Sequence, residues 1–303
     1  MRFTDMLKSI LWASSIFLAL FLSCDRNDSK SIGNKYLVEE VPTESPLPFL
    51  PGLVSDKYLI HKGVFSNDLD EYYFTVSDKN FAKFDVKVIH KENGQWSASE
   101  NAFFNSNYND HGMSFSPDGN TVYFSSTRPV ESERAVDTWH IWKSELMRGK
   151  WQQPEYVDIP NLREKLTSHP TITQEGNLYF HSSNPDYSNM DLFVAKLRDG
   201  KFQNAKKVFE SGSPRCTPYV SPNGDYLIYA SIEGQLDLMI SNKKANNNWG
   251  TPRPLPSRIN DNGQGNPYVS PGGDFLFFTK GGEEWSVQWV STKAFMSMTD
   301  DSY

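Results

Sequence analysis

Short stretches of alternating apolar and polar residues, joined by polar turns, recur along the chain about every fifty residues. Each copy has an apolar stretch, a turn with Gly or Asp, and a second apolar stretch, a pattern that is typical of a β-hairpin. A hydroxyl residue stands before each turn, and these anchors are Ser66, Ser116, Thr173, Ser221 and Ser270. A period of this length predicts a repeat architecture.

Two further sequence features recur at the same spacing as the hairpins. Another strand pattern begins near Asp85, His140, Asp191, Asp237 and Ser286, and an aromatic residue follows it at Trp96, Trp151, Phe202 and Trp249. Each unit therefore predicts four antiparallel strands, and four strands in about fifty residues is the size of a propeller blade. We predict an all-β, five-bladed β-propeller over residues 47–303, with a six-bladed ring as the alternative.

The fifth unit is incomplete, since it has neither the aromatic residue nor a fourth strand. The segment that begins at Leu47, LPFLPGLVSDKYL, resembles the missing strand. We therefore predict that this N-terminal strand completes the last blade and closes the ring. Closure removes open sheet edges, which would otherwise pair with other chains.

The motifs of these units carry a family resemblance. The S-P-D-G hairpin turn, the D-[IL]-[WYF] strand and the G-x-W-x-x-P turn resemble the TolB-type β-propeller repeat, a relative of WD repeats, over residues 47–303. Three units depart from the pattern, at Asn67–Asp70, at His140 and at Thr173–Gly176. The resemblance implies export from the cytoplasm and a binding or scaffolding role, with no particular reaction.

The N-terminus resembles a bacterial lipoprotein signal. An apolar run, Ile10–Leu22, is short for a membrane span and ends just before Cys24. We predict a signal peptide at residues 1–23, acylation of Cys24 and a flexible polar tether through residue 46, with an ordinary signal peptide or a retained anchor as alternatives. Acyl chains on Cys24 would hold the protein on a membrane. The other cysteine is Cys216, so no disulfide is expected once Cys24 is acylated.

The net charge and the mean hydropathy exclude two classes of protein. The net charge of −7 argues against a general nucleic-acid-binding protein, which needs a basic surface. The mean hydropathy of −0.57 rules out a membrane protein with several spans. We expect a monomer in the periplasm or at the outer membrane, anchored by lipid, with an envelope protein or a glycan as its partner.

Residues just before the innermost strands of a propeller line the mouth of its channel, where ligands usually bind. The candidate ligand-binding residues of this kind are His61, Asp110, His111, His169, Arg215 and Gln264. The imidazoles, with Asp110, could bind a transition metal, but we favour a polar, water-filled funnel and leave metal binding open. Cys216 lies in the same set and is interpreted as a packed thiol, with a nucleophile as the alternative.

Signatures of enzymes are missing from the sequence. It contains no H-E-x-x-H, G-x-S-x-G or G-x-x-x-x-G-K-[ST] motif. A glycosidase needs two carboxylates beside the scissile bond. The predicted inner strands contain none, and they are GVFS from residue 63, MSFS from residue 113, PTIT from residue 170 and PYVS from residues 218 and 267. We therefore predict a binding or scaffold module with no catalytic residues and no cofactor. The alternative is a glycan-active hydrolase with its site at the channel mouth.

Overall fold

The computed structural model describes residues 30–53, 58–131, 135–282 and 285–296. The predicted signal peptide and Cys24 lie outside these residues. Within them, no helix has the length and apolar character that a membrane crossing requires. The chain divides into two units, Met1–Val41 and Pro42–Tyr303, and residues 30–36 of the first unit are helical.

The second unit consists of strands, which we number in chain order. Their bounds are β1 (Leu47–Pro48), β2 (Tyr58–Phe65), β3 (Glu71–Asp78), β4 (Phe84–Glu92), β5 (Gln95–Trp96), β6 (Glu100–Asn101), β7 (Asp110–Phe115), β8 (Thr121–Ser126), β9 (His140–Met147), β10 (Lys150–Trp151), β11 (Glu155–Tyr156), β12 (Leu166–Ile172), β13 (Asn177–Ser183), β14 (Asp191–Arg198), β15 (Lys201–Phe202), β16 (Lys206–Lys207), β17 (Arg215–Val220), β18 (Tyr226–Glu233), β19 (Gln235–Asn242), β20 (Arg253–Pro254), β21 (Gln264–Val269), β22 (Phe275–Lys280) and β23 (Ser286–Ser291). A short helix, Lys293–Met296, follows the last strand.

These strands form five antiparallel sheets, one for each predicted repeat. The innermost strands of the five blades are β2, β7, β12, β17 and β21, and each is followed by its second and third strands in chain order. In the first three blades the fourth strand is divided into two short pieces that pair with the same third strand. The prediction of a five-bladed β-propeller is confirmed, and the six-bladed alternative is wrong.

The ring closes as the sequence predicts. In β1, Leu47 lies opposite Trp289 of β23, so the N-terminal strand is the outer strand of the fifth blade. The next residue after β1, Phe49, is only 4% exposed and packs its ring at 5.0 Å from Tyr72 of the first blade. On its other side the ring lies 5.1 Å from Phe277 of the fifth blade. Phe49 therefore joins the last blade to the first.

The hydroxyl anchors of the repeat hold the hairpin turns between the first and second strands. Each hydroxyl oxygen accepts a hydrogen bond from a backbone N–H on the far side of its turn, and the donor pairs are Glu71 to Ser66, Thr121 to Ser116, Asn177 to Thr173, Asp225 to Ser221 and Phe275 to Ser270. An Asp side chain reinforces two of the turns, because Ser66 donates to Asp68 and Ser116 to Asp118. The repeated turn motif is thus structural.

Apolar residues pack in thin layers between neighbouring blades. Between the second and third blades, Ile141 packs with Leu178 and Phe180. Between the first two blades, Val86 packs with Phe124. This arrangement of several thin layers buries aromatic and branched side chains without a single thick core.

The innermost strands begin three to five residues earlier than the apolar pattern alone indicates. The sequence pattern places the first inner strand at residues 63–66, whereas β2 already begins at Tyr58. The early part holds the candidate polar residues, such as His61 and Asp110, and is separated from the later apolar part by an irregularity in the pairing with the second strand. The residues predicted to precede the strands therefore lie inside them.

Candidate functional site

Each innermost strand contains a β-bulge at the same position, near the end of the channel where the strand begins. The register with the second strand shifts across two residues, and these pairs are His61-Lys62, Gly112-Met113, His169-Pro170, Thr217-Pro218 and Asn266-Pro267. In four of the pairs the first residue has a positive φ, from 46° at Thr217 to 61° at Gly112. A bulge bends the strand and redirects side chains, so this end of the channel differs from a regular sheet.

Polar side chains of the preceding blade satisfy the bulge amides. The N–H of His169 donates to Ser125 at 2.9 Å, and the N–H of Thr217 donates to Nδ1 of His181 at 3.2 Å. The N–H of Asn266 donates to the hydroxyl of Thr217 at 3.2 Å. A backbone amide that has left the strand ladder needs such a partner when it is buried. The bulges therefore connect successive blades around the channel mouth.

A pocket of about 240 Å³ opens at this mouth. Its lining residues include His61, Lys62, Thr75, Phe81, Phe84, His111, His169, Cys216, Thr217, Asn266, Thr279 and Trp285. No carboxylate is among the described residues that line it. The pocket thus combines aromatic rings, imidazoles, hydroxyls and one amine.

Aromatic rings form the rim of the pocket. The ring of Phe81 lies 5.5 Å from that of Trp285, and the ring of Trp285 lies 5.0 Å from that of His61. Phe84 continues the series towards His111, with ring centres 5.4 Å apart. Phe81 is 45% exposed although its backbone has a φ of 56°, which bulky residues rarely adopt. The rim therefore presents an apolar ring to solvent at the entrance.

Histidines converge below the rim. The rings of His111 and His169 lie 4.6 Å apart, and His181 lies 4.9 Å beyond His169. The hydroxyl of Ser168 lies 3.0 Å from Nε2 of His111 and 3.0 Å from Nδ1 of His169. One nitrogen of each of these two rings is thus held by the same hydroxyl. Gly112 leaves room for this arrangement, because a methyl group there would lie 3.2 Å from the His169 ring.

Burial keeps these imidazoles neutral at pH 7. It lowers the pKa of His61 to about 4 and the pKa of His181 to about 3. The pKa values of His111 and His169 lie well below the ordinary value, first because of burial and then because of the neighbouring histidines and Lys62. Neutral imidazoles can donate and accept hydrogen bonds in the pocket but carry no charge there.

The structure brings together three of the six residues predicted to bind ligand. His61, His111 and His169 line the pocket, whereas Asp110, Arg215 and Gln264 do not. The Asp110 carboxylate is fully buried and accepts a hydrogen bond from Arg128 at 2.7 Å.

Arg215 and Gln264 likewise have partners within the protein. Arg215 donates to Asp191 at 2.9 Å, and the amide of Gln264 donates to Asp261 at 2.8 Å. The structure thus places both side chains, like that of Asp110, in contacts outside the pocket lining. Whether any of the six binds a ligand stays a prediction.

The described residues contain no group of three or more His, Cys, Asp or Glu side chains placed to hold a metal ion. Ser168 already occupies one nitrogen of His111 and of His169, and the buried pair with Arg128 keeps Asp110 away from them. The donor set therefore does not fit the transition-metal site considered from the sequence.

Cys216 lies at the edge of the same pocket. Burial raises the pKa of its thiol to about 11, so the nucleophilic thiolate is scarce at neutral pH. The environment of the thiol favours the interpretation as a packing residue.

Some residues at this mouth are not among the six candidates. Lys62 directly follows His61 in the predicted mouth, and His181, whose ring lies beside that of His169, comes from a second strand. Phe81 and Trp285 belong to loops between the second and third strands, which repeat no motif. The sequence signal for Lys62 is its position directly before the predicted first inner strand, which begins at residue 63.

The other end of the channel is different in character. A wider depression of about 530 Å³ opens there and is lined by the hairpin turns, including Ser116, Pro117, Ser221 and Pro222, and by Tyr219. Its lining follows from the repeated turn motif, whereas the histidine end varies from blade to blade. The histidine end is therefore the stronger candidate for a specific site.

Neither a protein-family model nor a curated protein sequence matches this chain. Solved structures do. TolB from Acinetobacter baumannii is 16% identical, with a TM-score of 0.50, over 80% of this chain and 54% of that one. The fold is that of the TolB-type β-propellers. A TolB candidate from Agrobacterium tumefaciens is 15% identical, with a TM-score of 0.51, over 80% of each chain. The chain spans about half the length of the Acinetobacter TolB, and identities this low establish the fold alone.

Proposed function

We propose that this protein is a binding module of the bacterial envelope, anchored by lipid, that holds a protein or glycan partner at the histidine end of its channel. The exposed rim ring of Phe81 carries the proposal. An exposed aromatic ring beside Trp285, at the entrance of a pocket, is typical of an interaction surface. A strained backbone at such a residue is a common feature of ligand clamps.

The pocket chemistry supports binding over hydrolysis. A glycosidase needs one carboxylic acid and one carboxylate, about 5–10 Å apart, on either side of the scissile bond. The described residues that line this pocket supply neither, and Asp110 is bound to Arg128 outside it. The alternative of a glycan-active hydrolase therefore has no supporting pair of carboxylates among the described residues that line this mouth.

The rim can be tested with two matched variants of the full-length chain. Phe81→Ala removes a rim ring, and Phe103→Ala removes a ring of nearly equal exposure, 44%, that stacks on Trp151 away from the pocket. Both variants and the wild type are applied to glycan and peptide arrays and to pull-downs from envelope extract. We expect Phe81→Ala to lose at least tenfold in affinity for any ligand found, and Phe103→Ala to match the wild type.

Equal binding by Phe81→Ala and the wild type would contradict the placement of the ligand at this rim. Conversion of a bound glycan into a product of lower mass would favour the hydrolase alternative. Both results can be read by mass spectrometry of the recovered ligand.

The location of the protein needs a separate test, because Cys24 lies outside the described residues. Export as a lipoprotein is supported by the apolar run before Cys24. We expect radiolabelled fatty acid to label the full-length chain in a bacterial host and not to label a Cys24→Ser variant. Absence of label in the wild type, while a control lipoprotein is labelled, would reject the anchor.

A further inference from the structure

The amine of Lys62 is an unexplained feature of the channel mouth. Lys62 is the second residue of the bulge in β2, is only 4% exposed and lines the pocket. A lysine is almost never buried to this extent unless its ammonium group is paired. The surroundings of this side chain therefore call for an explanation.

No partner for the ammonium group lies in the described part of the chain. Among those residues, no carboxylate forms an ion pair with Nζ and no hydrogen bond to it is formed, and Nζ is not one of the fully enclosed polar atoms, so the amine reaches the space of the pocket. Burial lowers the pKa of Lys62 to about 7, so the group changes charge near neutral pH. Arg215, a buried cation elsewhere among the described residues, is paired with Asp191 at 2.9 Å. The described residues offer Lys62 no such carboxylate.

We propose that Lys62 receives the carboxylate of a small hydroxy acid, such as an acidic sugar residue, that enters the channel mouth. The inference rests on the binding role proposed above and names the chemical class of the ligand. A carboxylate beside an ammonium group forms a charge-assisted hydrogen bond, which is strong when water is excluded.

The charge of the pocket favours a single negative charge on the ligand. Lowered pKa values keep the nearby imidazoles neutral at pH 7, namely those of His61, His111, His169 and His181. Lys62 is therefore the one cationic group among the described residues that line the pocket. One carboxylate matches one ammonium group. A phosphate dianion would leave a second buried charge unpaired, which is costly.

The polar groups around Lys62 suit a ligand that also carries hydroxyls. Asn266 lines the pocket, and its buried Oδ1 accepts no hydrogen bond of good geometry from the described residues, although the His169 ring lies near enough to interact with this side chain. A buried acceptor of this kind requires a donor, which a hydroxyl group supplies. The hydroxyls of Thr75 and Thr217 lie in the same lining. The aromatic rim offers a surface for the apolar face of a sugar ring.

The test uses small molecules of known structure and the full-length chain in detergent. D-glucuronate, L-lactate and propionate are titrated by saturation-transfer NMR, with glucose, inorganic phosphate and N-acetylalanine as comparison ligands. Lys62→Met removes the amine with little change in side-chain length, and Lys201→Met is a matched control because Lys201 is exposed and lies outside this pocket. We expect D-glucuronate and L-lactate to bind. Propionate should bind more weakly than L-lactate, and glucose should bind more weakly than D-glucuronate.

The variants give the decisive comparison. Lys62→Met should weaken glucuronate binding at least tenfold, as expected for loss of a charged hydrogen bond, and Lys201→Met should leave it unchanged. Lys62→Met must keep the thermal midpoint of the wild type or exceed it, since it removes a buried charge. A variant with that midpoint and unchanged glucuronate binding would overturn the proposal.

The pH dependence provides a second readout. With a pKa of about 7, the protonated fraction of Lys62 falls from about 90% at pH 6 to about 10% at pH 8, so the affinity should fall about tenfold. The other titratable groups among the described residues of the lining are His61, His111 and His169, whose lowered pKa values lie below this range, and Cys216, whose pKa of about 11 lies above it. Affinity independent of pH between 6 and 8 would count against Lys62.

The outcomes separate this inference from the binding role itself. Tighter binding of phosphate or of N-acetylalanine than of glucuronate would overturn the choice of a hydroxy acid. If Phe81→Ala abolishes partner binding while no carboxylate binds at any concentration up to tens of millimolar, the binding role stands and the carboxylate inference falls.

Discussion

Acidification from pH 7 to pH 5 should destabilise this protein strongly, because it keeps several histidines buried and uncharged. His61 is 8% exposed and His181 is 6% exposed, and their folded pKa values are about 4 and about 3. An unfolded histidine has a pKa of about 6.5. The unfolded chain therefore binds more protons than the folded chain below pH 6.5, and protons drive unfolding.

The magnitude follows from the linkage between proton binding and folding. The stability that a neutral buried histidine contributes is present above pH 6.5 and is lost as the pH falls towards its folded pKa. At pH 5 the loss is about 2 kcal/mol for each of His61 and His181, or about 4 kcal/mol together. The half-buried His111 and His169 add a loss of the same sign. The free energy of unfolding of a folded domain is about 5–15 kcal/mol, so a loss of this size is easily measured.

The window between pH 7 and pH 5 isolates the histidines from other groups. Carboxylates with lowered pKa values, such as Asp118 with its hydrogen bond from Ser116, titrate below this window. Lys62 is already about half protonated at pH 7, so its further protonation changes the stability by less than about 1 kcal/mol. The slope in this window therefore reports the buried imidazoles.

The assay is urea unfolding followed by tryptophan fluorescence at pH 7, 6 and 5. His181→Asn replaces the Nδ1 acceptor of the Thr217 amide with an oxygen that does not titrate, so this variant should lose about 2 kcal/mol less than the wild type between pH 7 and pH 5. A wild-type free energy of unfolding that changes by less than about 1 kcal/mol across the window would refute the reasoning. An identical pH slope in His181→Asn would refute the role of that residue.

Three further predictions follow from the packing. Phe49→Ala should lower the free energy of unfolding by about 3–5 kcal/mol, while Phe103→Ala, at an exposed ring, should lower it by less than about 1 kcal/mol. Urea unfolding midpoints measure both losses, and equal losses would contradict ring closure through Phe49. Arg128→Met should lower the free energy of unfolding by about 3–5 kcal/mol because it leaves the fully buried Asp110 carboxylate without its counter-charge, whereas Arg163→Met, which breaks an exposed ion pair with Asp158, should leave the free energy of unfolding nearly unchanged. Cys216 should resist iodoacetamide at pH 8 until the protein unfolds, as read by peptide mass spectrometry, and rapid labelling of the native chain would show an accessible thiolate.

The fold could be predicted from the sequence because each repeat carries its own turn chemistry. The hydroxyl of Ser116 accepts the Thr121 amide, and the same bond recurs in every blade, so the anchors mark the hairpins directly. Ring closure could also be predicted, since the last unit lacked a strand and Leu47 supplied one. The turn bonds join residues that are close in the sequence, and the missing strand is found by counting the strands of each unit, so both can be read from the sequence.

The candidate site could be predicted only in part, because the bulges are invisible in the hydrophobic pattern. Asp110 and His111 are neighbours, yet one is buried against Arg128 and the other lines the pocket. Which neighbour faces the channel depends on pairing with the second strand, which shifts after His111. Lys62 owes its position to the same kind of shift in β2. The rim rings come from loops, where no period guides prediction.

Side chains at the two ends of the channel have different structural roles, and this difference explains why the bulge end is the better candidate for a specific binding site. At the turn end, the hydroxyl of each anchor must satisfy a backbone amide, so the repeats keep Ser or Thr there. At the bulge end, side chains of the preceding blade accept the amides of His169 and Thr217, and the Thr217 hydroxyl in turn accepts the amide of Asn266. Because several kinds of side chain can accept such an amide, the bulge residue differs between blades, from His61 in the first to Asn266 in the fifth. A channel mouth built in this way can hold an amine such as that of Lys62, which has no ion-pair partner among the described residues and which the proposed carboxylate ligand would pair.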